Sequence, residues 1–171
     1  RHCYVEPPGG ELPTATWLEV LGELREAGAL FVTLSGGEPL LRPDCLELAE
    51  RARRLGLGVK ILTAGTLLDE ALVMRIATLG VLAVELSLYG ATAAVHDGVT
   101  LQPGSFARTT GAAAALRAQG VPVMLKTPLL APTLPEVRGI VRLARGLGAG
   151  CGFDPIIVPR RDGDRAPLAL R

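Results

Sequence analysis

Short, unbroken apolar runs alternate along the chain with longer stretches in which apolar residues recur every three or four positions. The unbroken runs fall at residues 30–35, 58–63, 82–88, 121–127 and 152–158 and are rich in Val, Ile, Leu and Thr. A continuous apolar run, as opposed to a strict alternation, is the pattern of a strand buried on both faces, and so of a parallel sheet. The intervening stretches carry helix start and stop signals. Thr16 and Glu19 have capping-box spacing ahead of Leu18, Leu21 and Leu24, and Gly28 closes that helix. Asp44 opens a second helix with Leu46, Leu48, Ala49, Ala52 and Leu55, ended by Gly56. Asp69 opens a third, with Leu72, Val73, Ile76 and Leu79 on one face, and Ser105 a fourth. Thr133 and Glu136 form a further capping box, with Pro135 in the first turn, ahead of Val137, Ile140, Val141 and Ala144.

Each strand–helix unit has the length of a βα repeat, roughly 30 residues. Repeats of this kind predict an α/β fold with a parallel sheet and right-handed crossovers. Five strands and five helices are expected. The first helix has no strand ahead of it, so a missing first strand upstream of Arg1 would make six units. Both ends of the chain read as cut, since "RHCYVEPPGG" has no cap or strand pattern and "DGDRAPLALR" stops as apolar residues resume. The 171 residues predict one domain, with a boundary only where the Pro-, Gly- and Arg-rich tail starts at Pro159.

Composition narrows the function. Residues are 49% hydrophobic, enough to bury a sizeable core, and the net charge is +1. A basic face for nucleic acid is not expected. Lys60 and Lys126 are the two lysines; the remaining basic residues are arginines. No apolar run approaches the roughly 18 residues of a membrane span, the longest, 76–84, lying between Arg75 and Glu85. There is no signal-peptide pattern. Cys3, Cys45 and Cys151 are odd in number and far apart, which predicts no disulfide framework and a cytoplasmic, reducing setting.

In parallel α/β folds ligands sit beyond the carboxyl ends of the strands. The residues there are Ser35, Gly36, Gly37, Glu38 and Pro39; then Thr63, Ala64 and Gly65; then Ser87, Tyr89 and Gly90; then Lys126, Thr127 and Pro128; and last Asp154 and Pro155. Glycine lets backbone approach a ligand closely. Glu38 is an acceptor for an ammonium group and Lys126 a donor for a carboxylate, so an amino-acid moiety would satisfy both. Taken alone, Gly-Gly-Glu-Pro is most often a turn, and the other strand ends are ordinary loop chemistry. Their occurrence at successive strand ends points to one shared site. Two other readings remain at this point: a barrel lyase or aldolase using Lys126 as a Schiff-base amine, and a non-catalytic βα scaffold that binds a nucleotide-like ligand.

One further motif changes the balance. "RHCYV" at the start, "SGGEPLLRPD", "LTAGTLLD", "ELSLYGATAAVHDGVT" and "VMLKTPL" occur in that order. Together they resemble the radical S-adenosylmethionine (SAM) superfamily over nearly the whole chain. The resemblance implies a partial (β/α)6 barrel lacking its first strand, over residues 1–158, a [4Fe-4S] cluster and SAM. It implies that Cys3 is the last thiolate ligand of a C-x3-C-x2-C loop and that His2 lies near the SAM adenine. It places Gly36, Gly37 and Glu38 at the SAM ammonium, Thr63 in the family's Thr-Asn-Gly segment with Ala64 in place of Asn, Ser87 at the ribose or methionine, and Lys126 at the SAM carboxylate. Glu38, Ser87 and Lys126 are then expected at one end of the sheet with Cys3 at its rim, and substitution of Glu38 is expected to leave the fold nearly as stable. The implied reaction is reductive cleavage of SAM to a 5′-deoxyadenosyl radical that takes hydrogen from a peptide, protein or cofactor precursor, with electrons from a donor such as flavodoxin or ferredoxin. Residues 159–171 resemble the start of a linker to a C-terminal cysteine-rich domain of the SPASM type. Cys45 and Cys151 lack that domain's clustered spacing and read as packed thiols. With one ligand thiolate in the motif, residues 1–171 alone are expected neither to hold the cluster nor to cleave SAM.

Overall fold

The unbroken apolar runs form five strands, β1 Phe31–Leu34, β2 Gly58–Thr63, β3 Ala83–Ser87, β4 Val123–Pro128 and β5 Gly150–Asp154, in a computed structural model that describes residues 10–156, 163 and 165. They pair in chain order, all parallel, into one sheet. Between and before them run α1 Thr14–Glu26, α2 Cys45–Arg54, α3 Glu70–Leu79, α4 Ala93–Thr100, α5 Ser105–Ala118 and α6 Val137–Gly146. A sheet in strict chain order follows when each crossover has the same hand, and it is the arrangement of a partial (β/α) barrel.

The strands are not buried on both faces. Burial alternates along β2, β3 and β4. On one face Val59, Ile61, Val84, Leu86 and Leu125 are fully buried and cluster with Ala49, Ala52, Ile76, Ala113, Leu116 and Ile140 from the helices. The other face carries Lys60, Leu62, Glu85, Ser87, Met124 and Lys126, each half-buried. The unbroken runs are therefore one packed face and one open face. The charged residues in them, Lys60, Glu85 and Lys126, mark the open one.

Caps explain where the helices begin. Asp69 accepts from the Leu72 N–H at 2.8 Å, and Gly80 closes α3 at φ +60°. The Asp69 start acts as expected. Gly28 at φ +88° and Gly56 at φ +79° likewise end α1 and α2 as expected, with the Ala29 and Leu57 N–H groups reaching back to the Leu24 and Ala52 carbonyls. The other expected N-terminal caps do not form. α1 begins at Thr14 after Pro13, and neither Thr16 nor Glu19 caps it. Asp44 makes no cap bond because Arg42 and Thr14 take its oxygens: Arg42 Nε lies 2.6 Å from Oδ1, Nη2 donates to Oδ2 at 2.8 Å, and the Thr14 hydroxyl donates to Oδ2. The Arg42 hydrogen bond, then that of Thr14, holds the Asp44 carboxyl below its ordinary range. Thr133 accepts from the Leu130 N–H and donates to the Pro128 carbonyl, both at 2.8 Å, and Glu136 accepts from the Ala91 N–H at 2.9 Å. Each of these residues anchors a neighbouring segment instead of its own helix.

β5 starts two residues before the expected run and ends at Asp154, whose carbonyl accepts from Leu129 N–H at 2.8 Å. Pro155 cannot continue the ladder as a donor. Helix α4 was not expected at all. It has eight residues, too few to be stable by propensity. Side chains at its far end hold it: Asp97 accepts from Gly104 N–H at 2.7 Å, Phe106 N–H at 2.8 Å and the Ser105 hydroxyl at 2.9 Å, and so caps α5 from α4. His96 is 1% exposed, with Tyr89 and Phe106 rings 5.4 and 5.8 Å away. Its Nδ1 accepts from the Tyr89 N–H at 3.2 Å, which assigns the neutral imidazole with its proton on Nε2.

Burial lowers the His96 pKa from its ordinary 6.5, and the nearby Asp97 charge only partly opposes this. As pH falls, the unfolded chain takes up the proton first, so stability declines below about pH 6.5. Asp97, whose carboxyl is held low chiefly by the Phe106 N–H, adds its own loss only below its ordinary 3.8. Urea unfolding of the full-length protein between pH 5 and 8 should show the midpoint dropping on the acid side. His96→Asn keeps an acceptor for Tyr89 and should flatten that drop; an unchanged pH profile in the variant would count against the assignment.

Candidate functional site

Beyond β1 the chain turns through Ser35, Gly36 and Gly37, all exposed. Gly36 has φ +151°, a region that side chains resist. A Cβ added at Gly37 would meet no atom within 4 Å, so neither crowding nor φ demands glycine there. What its absent side chain leaves is bare backbone facing open space at the strand end.

Glu38 fixes this loop. Its carboxylate reaches across to the end of β2, where Oε1 accepts from the Thr63 hydroxyl at 2.6 Å and Oε2 from the Ala64 N–H at 2.8 Å. Oε1 also accepts from the Leu40 N–H at 3.2 Å, at the start of the 3-10 turn Pro39–Leu41. The Thr63 hydroxyl accepts in turn from Gly65 N–H at 3.0 Å. The Ala64 carbonyl accepts from the Thr109 hydroxyl of α5 at 2.8 Å. Thr63 and Thr109 are 2% and 1% exposed. Gly65 has φ +76°, and a Cβ there would stand 2.9 Å from Leu86 Cδ2, so the segment is pressed against β3. One carboxylate thus connects the ends of β1 and β2, and through them α5. Of its roughly four lone-pair positions, three are used. The fourth, on Oε2, remains for a ligand. Thr63 is turned into this network, and its hydroxyl reaches a ligand only through Glu38.

Ser87 ends β3 on the open face, in register with Lys126 of β4, which is in register with Gly152 of β5. Neither Ser87 nor Lys126 forms a side-chain hydrogen bond or ion pair among the described residues. The Lys126 side chain leans over β5: a Cβ on Gly152 would lie 3.5 Å from its Cδ and 3.7 Å from its Nζ. Glu38, Ser87 and Lys126 therefore stand toward the same, carboxyl end of the sheet. Lower on the open face, Lys60 Nζ is 3.5 Å from Glu85 Oε1 and 5.5 Å from the centre of the Phe31 ring. Sequence reasoning missed this pair, and the signal was present as one charge inside each of two apolar runs. It also missed Thr109, whose partner is a backbone atom and leaves no pattern. The Glu136 bond to Ala91 ties the loop after β3 to the start of α6.

His2 and Cys3 lie outside the described residues. Among the described residues no cluster of three His, Cys, Asp or Glu side chains is placed to hold a metal. Cys45 is buried on α2, and burial, with the Asp44 and Glu38 charges, pushes its thiol up to about 11. Cys151 packs partly buried against the core. Neither is a candidate ligand.

The family profile described as Radical SAM superfamily matches residues 1–144. A curated relative, PqqA peptide cyclase of Gluconobacter oxydans (strain 621H), is 38% identical over 146 residues, 85% of this chain and 41% of that protein. The AdoMet-dependent heme synthase of Methanosarcina barkeri (strain Fusaro / DSM 804) is 35% identical over 159 residues, 93% of this chain and 46% of that protein. The chain thus spans less than half the length of these relatives. Among solved structures, Streptococcus suis SuiB bound to S-adenosylmethionine superposes with TM-score 0.77 at 18% identity, covering 92% of this chain and 38% of SuiB. Native anSMEcpe with bound AdoMet and the Kp18Cys peptide superposes with TM-score 0.71 at 16% identity, covering 91% and 48%. These two likenesses are of fold.

The expectation that Glu38 can be replaced at little cost to the fold changes with this geometry. Glu38→Ala leaves the buried Thr63 hydroxyl and the Ala64 N–H without their acceptor, and should destabilise the full-length protein by about 2 kcal/mol, measured by denaturant unfolding. A wild-type midpoint would show that the network contributes nothing. Cys45 should resist iodoacetamide at pH 8 in the folded protein and react on unfolding, as read by peptide mass mapping; rapid native labelling would contradict its burial.

Proposed function

This chain belongs to the radical SAM superfamily, whose members use a [4Fe-4S] cluster and SAM, and we propose that it forms the SAM-binding core of an enzyme that modifies a peptide by hydrogen abstraction. The observation that carries the reading is the Glu38 carboxylate pinned between two strand ends, which holds Gly36 and Gly37 bare and leaves one acceptor position open. A primary ammonium, with three donors, suits two backbone carbonyls and one carboxylate oxygen. Gly36, Gly37 and Glu38 would hold the methionine ammonium of SAM, with Thr63 and Thr109 acting through Glu38. Ser87 would meet the ribose or the methionine. Cys3 would be a thiolate ligand of the cluster, and His2 would lie near the adenine. When bound, the cluster supplies the electron that cleaves SAM.

Lys126 is proposed for the SAM carboxylate. From the end of β2 to β4 is two strand spacings, about 10 Å, so the side chain must leave Gly152 and extend across Ser87 to reach the moiety that Glu38 holds. No second cation or bonded carboxylate activates Lys126 among the described residues, and family membership sets the Schiff-base reading and the non-catalytic scaffold aside. The peptide substrate class is supported by the name of the Gluconobacter relative; the Methanosarcina relative supports a cofactor precursor as the second possibility. Electron donation by a flavodoxin or ferredoxin, a cytoplasmic location and a cysteine-rich domain after residues 159–171 complete the proposal, with no role for nucleic acid. Among the described residues no helix is long and apolar enough to cross a membrane.

The test is SAM binding by the cluster-loaded, full-length protein under anaerobic conditions. Glu38→Ala should weaken SAM about ten- to a hundredfold, the value of one charge-assisted hydrogen bond. Lys126→Ala should weaken it about tenfold with the unfolding midpoint unchanged. Unchanged SAM affinity in Glu38→Ala would overturn the assignment. An effect of Lys126→Ala confined to substrate KM would move Lys126 from the SAM site to the substrate.

A further inference from the structure

The Lys60–Glu85 pair sits on the open face below the level of Ser87 and Lys126, toward the start of the strands. Lys60 is in register with Thr33 of β1 and Ala83 of β3, and Glu85 lies one open-face position further along β3. At 3.5 Å the two charges attract without forming a hydrogen bond, which needs about 2.7–3.2 Å. Neither side chain makes a hydrogen bond to any described residue. The ammonium therefore keeps its donors unused. The exposure is unequal: the Lys60 side chain is 36% exposed and that of Glu85 16%. A ligand entering this face meets the cation and finds the anion behind it.

The surroundings of the cation are apolar. Phe31, 58% exposed, lies beneath the ammonium, and Leu82, 48% exposed, closes over Gly58, where a Cβ would stand 2.5 Å from Leu82 Cδ1 and 3.3 Å from Phe31 Cβ. Gly58 thus lets two large apolar side chains meet beside Lys60. Among the described residues the other charges on the open face of the strands, Lys126 and Asp154, stand higher, and Asp154 is occupied by the Ile156 N–H at 2.9 Å. We propose that Lys60, held in place by Glu85 and Phe31, anchors a carboxylate carried on an apolar body of the substrate. This rests on the proposed function, with the substrate approaching SAM along the open face that carries Ser87 and Lys126. The pair is half-buried and its charges stand 3.5 Å apart without a hydrogen bond, so the ammonium's donors are left for a ligand. The same chemistry is offered by an acidic side chain in a peptide and by the carboxylate of a small precursor.

The test is protection of Lys60 from acetylation by sulfosuccinimidyl acetate in the full-length protein, followed by peptide mass spectrometry. Two probes carry the carboxylate, 3-phenylpropionate and the peptide acetyl-Phe-Glu-Gly-amide. Their neutral partners are 3-phenylpropanamide and acetyl-Phe-Gln-Gly-amide. At constant ionic strength at least one acid should protect Lys60 at about a tenth of the concentration its amide needs, as one charge-assisted contact implies. Protection by the peptide acid alone assigns a peptide side chain; protection by the small acid alone assigns a precursor. Equal protection by acid and amide, or none by either acid, overturns the proposal. Because labelling requires neither the cluster nor SAM, protein that binds SAM normally yet shows no protection would overturn this inference alone.

Discussion

Parallel strands that stop at one level leave backbone donors and turn residues without partners, and a ligand site at that level needs them held still. Here a single carboxylate supplies the constraint. Glu38 accepts from the Thr63 hydroxyl and the Ala64 N–H of the next strand end, and from Leu40 in its own turn. Bonds to an ionised acceptor are about twice as strong as neutral ones. Their geometry transmits one step further, through the Ala64 carbonyl to Thr109 on α5. The loop with Gly36 and Gly37 can therefore stay free of packing contacts and still be fixed, because its anchor is the residue that follows them. The residue that presents the glycines is thus also a structural member of the sheet end.

The rest of the molecule divides along the plane of the sheet. On one face, buried aliphatic residues pack against helices and carry stability. On the other, Lys60, Glu85, Ser87 and Lys126 stand half-exposed, and few of their hydrogen-bonding groups are used by the protein itself. Carboxylates link successive loops above this face: Glu38 joins the first two strand ends, Glu136 takes the Ala91 N–H after β3, and Asp97 caps α5 from α4. The packed face fixes where the strands are, and the carboxylates fix where their ends point.

Much of this was legible in the residues. The order of strands and helices follows from apolar periodicity, and Asp69 opens α3 as its pattern predicts. The glycines and Glu38 stand at a strand end because the apolar run stops there. Other features were hidden for physical reasons. Helix α4 is short and contains Gly98 and β-branched residues, so tertiary bonds from Asp97 and burial of His96 decide it, not propensity. Asp44 and Thr133 carry the chemistry of caps, but Arg42 and Thr14 take the oxygens of Asp44, and the Leu130 N–H and Pro128 carbonyl just upstream take the Thr133 hydroxyl, a competition that cap spacing alone does not show. The open face was masked because Lys60 and Glu85 sit between aliphatic neighbours and Lys126 follows Val123, Met124 and Leu125, so the runs read as apolar. Cys3 and His2, which carry the cluster reading, lie outside the described residues.

The central claim is that Glu38 works as a member of a network, so that its effect on SAM depends on Thr63. A double-mutant cycle of Glu38→Gln and Thr63→Val in the cluster-loaded, full-length protein measures that dependence directly from four SAM dissociation constants. The account predicts a coupling of about 1 kcal/mol or more, with the second substitution costing little once the first is made. Strictly additive losses would show that Glu38 and Thr63 act on SAM independently, and would contradict it.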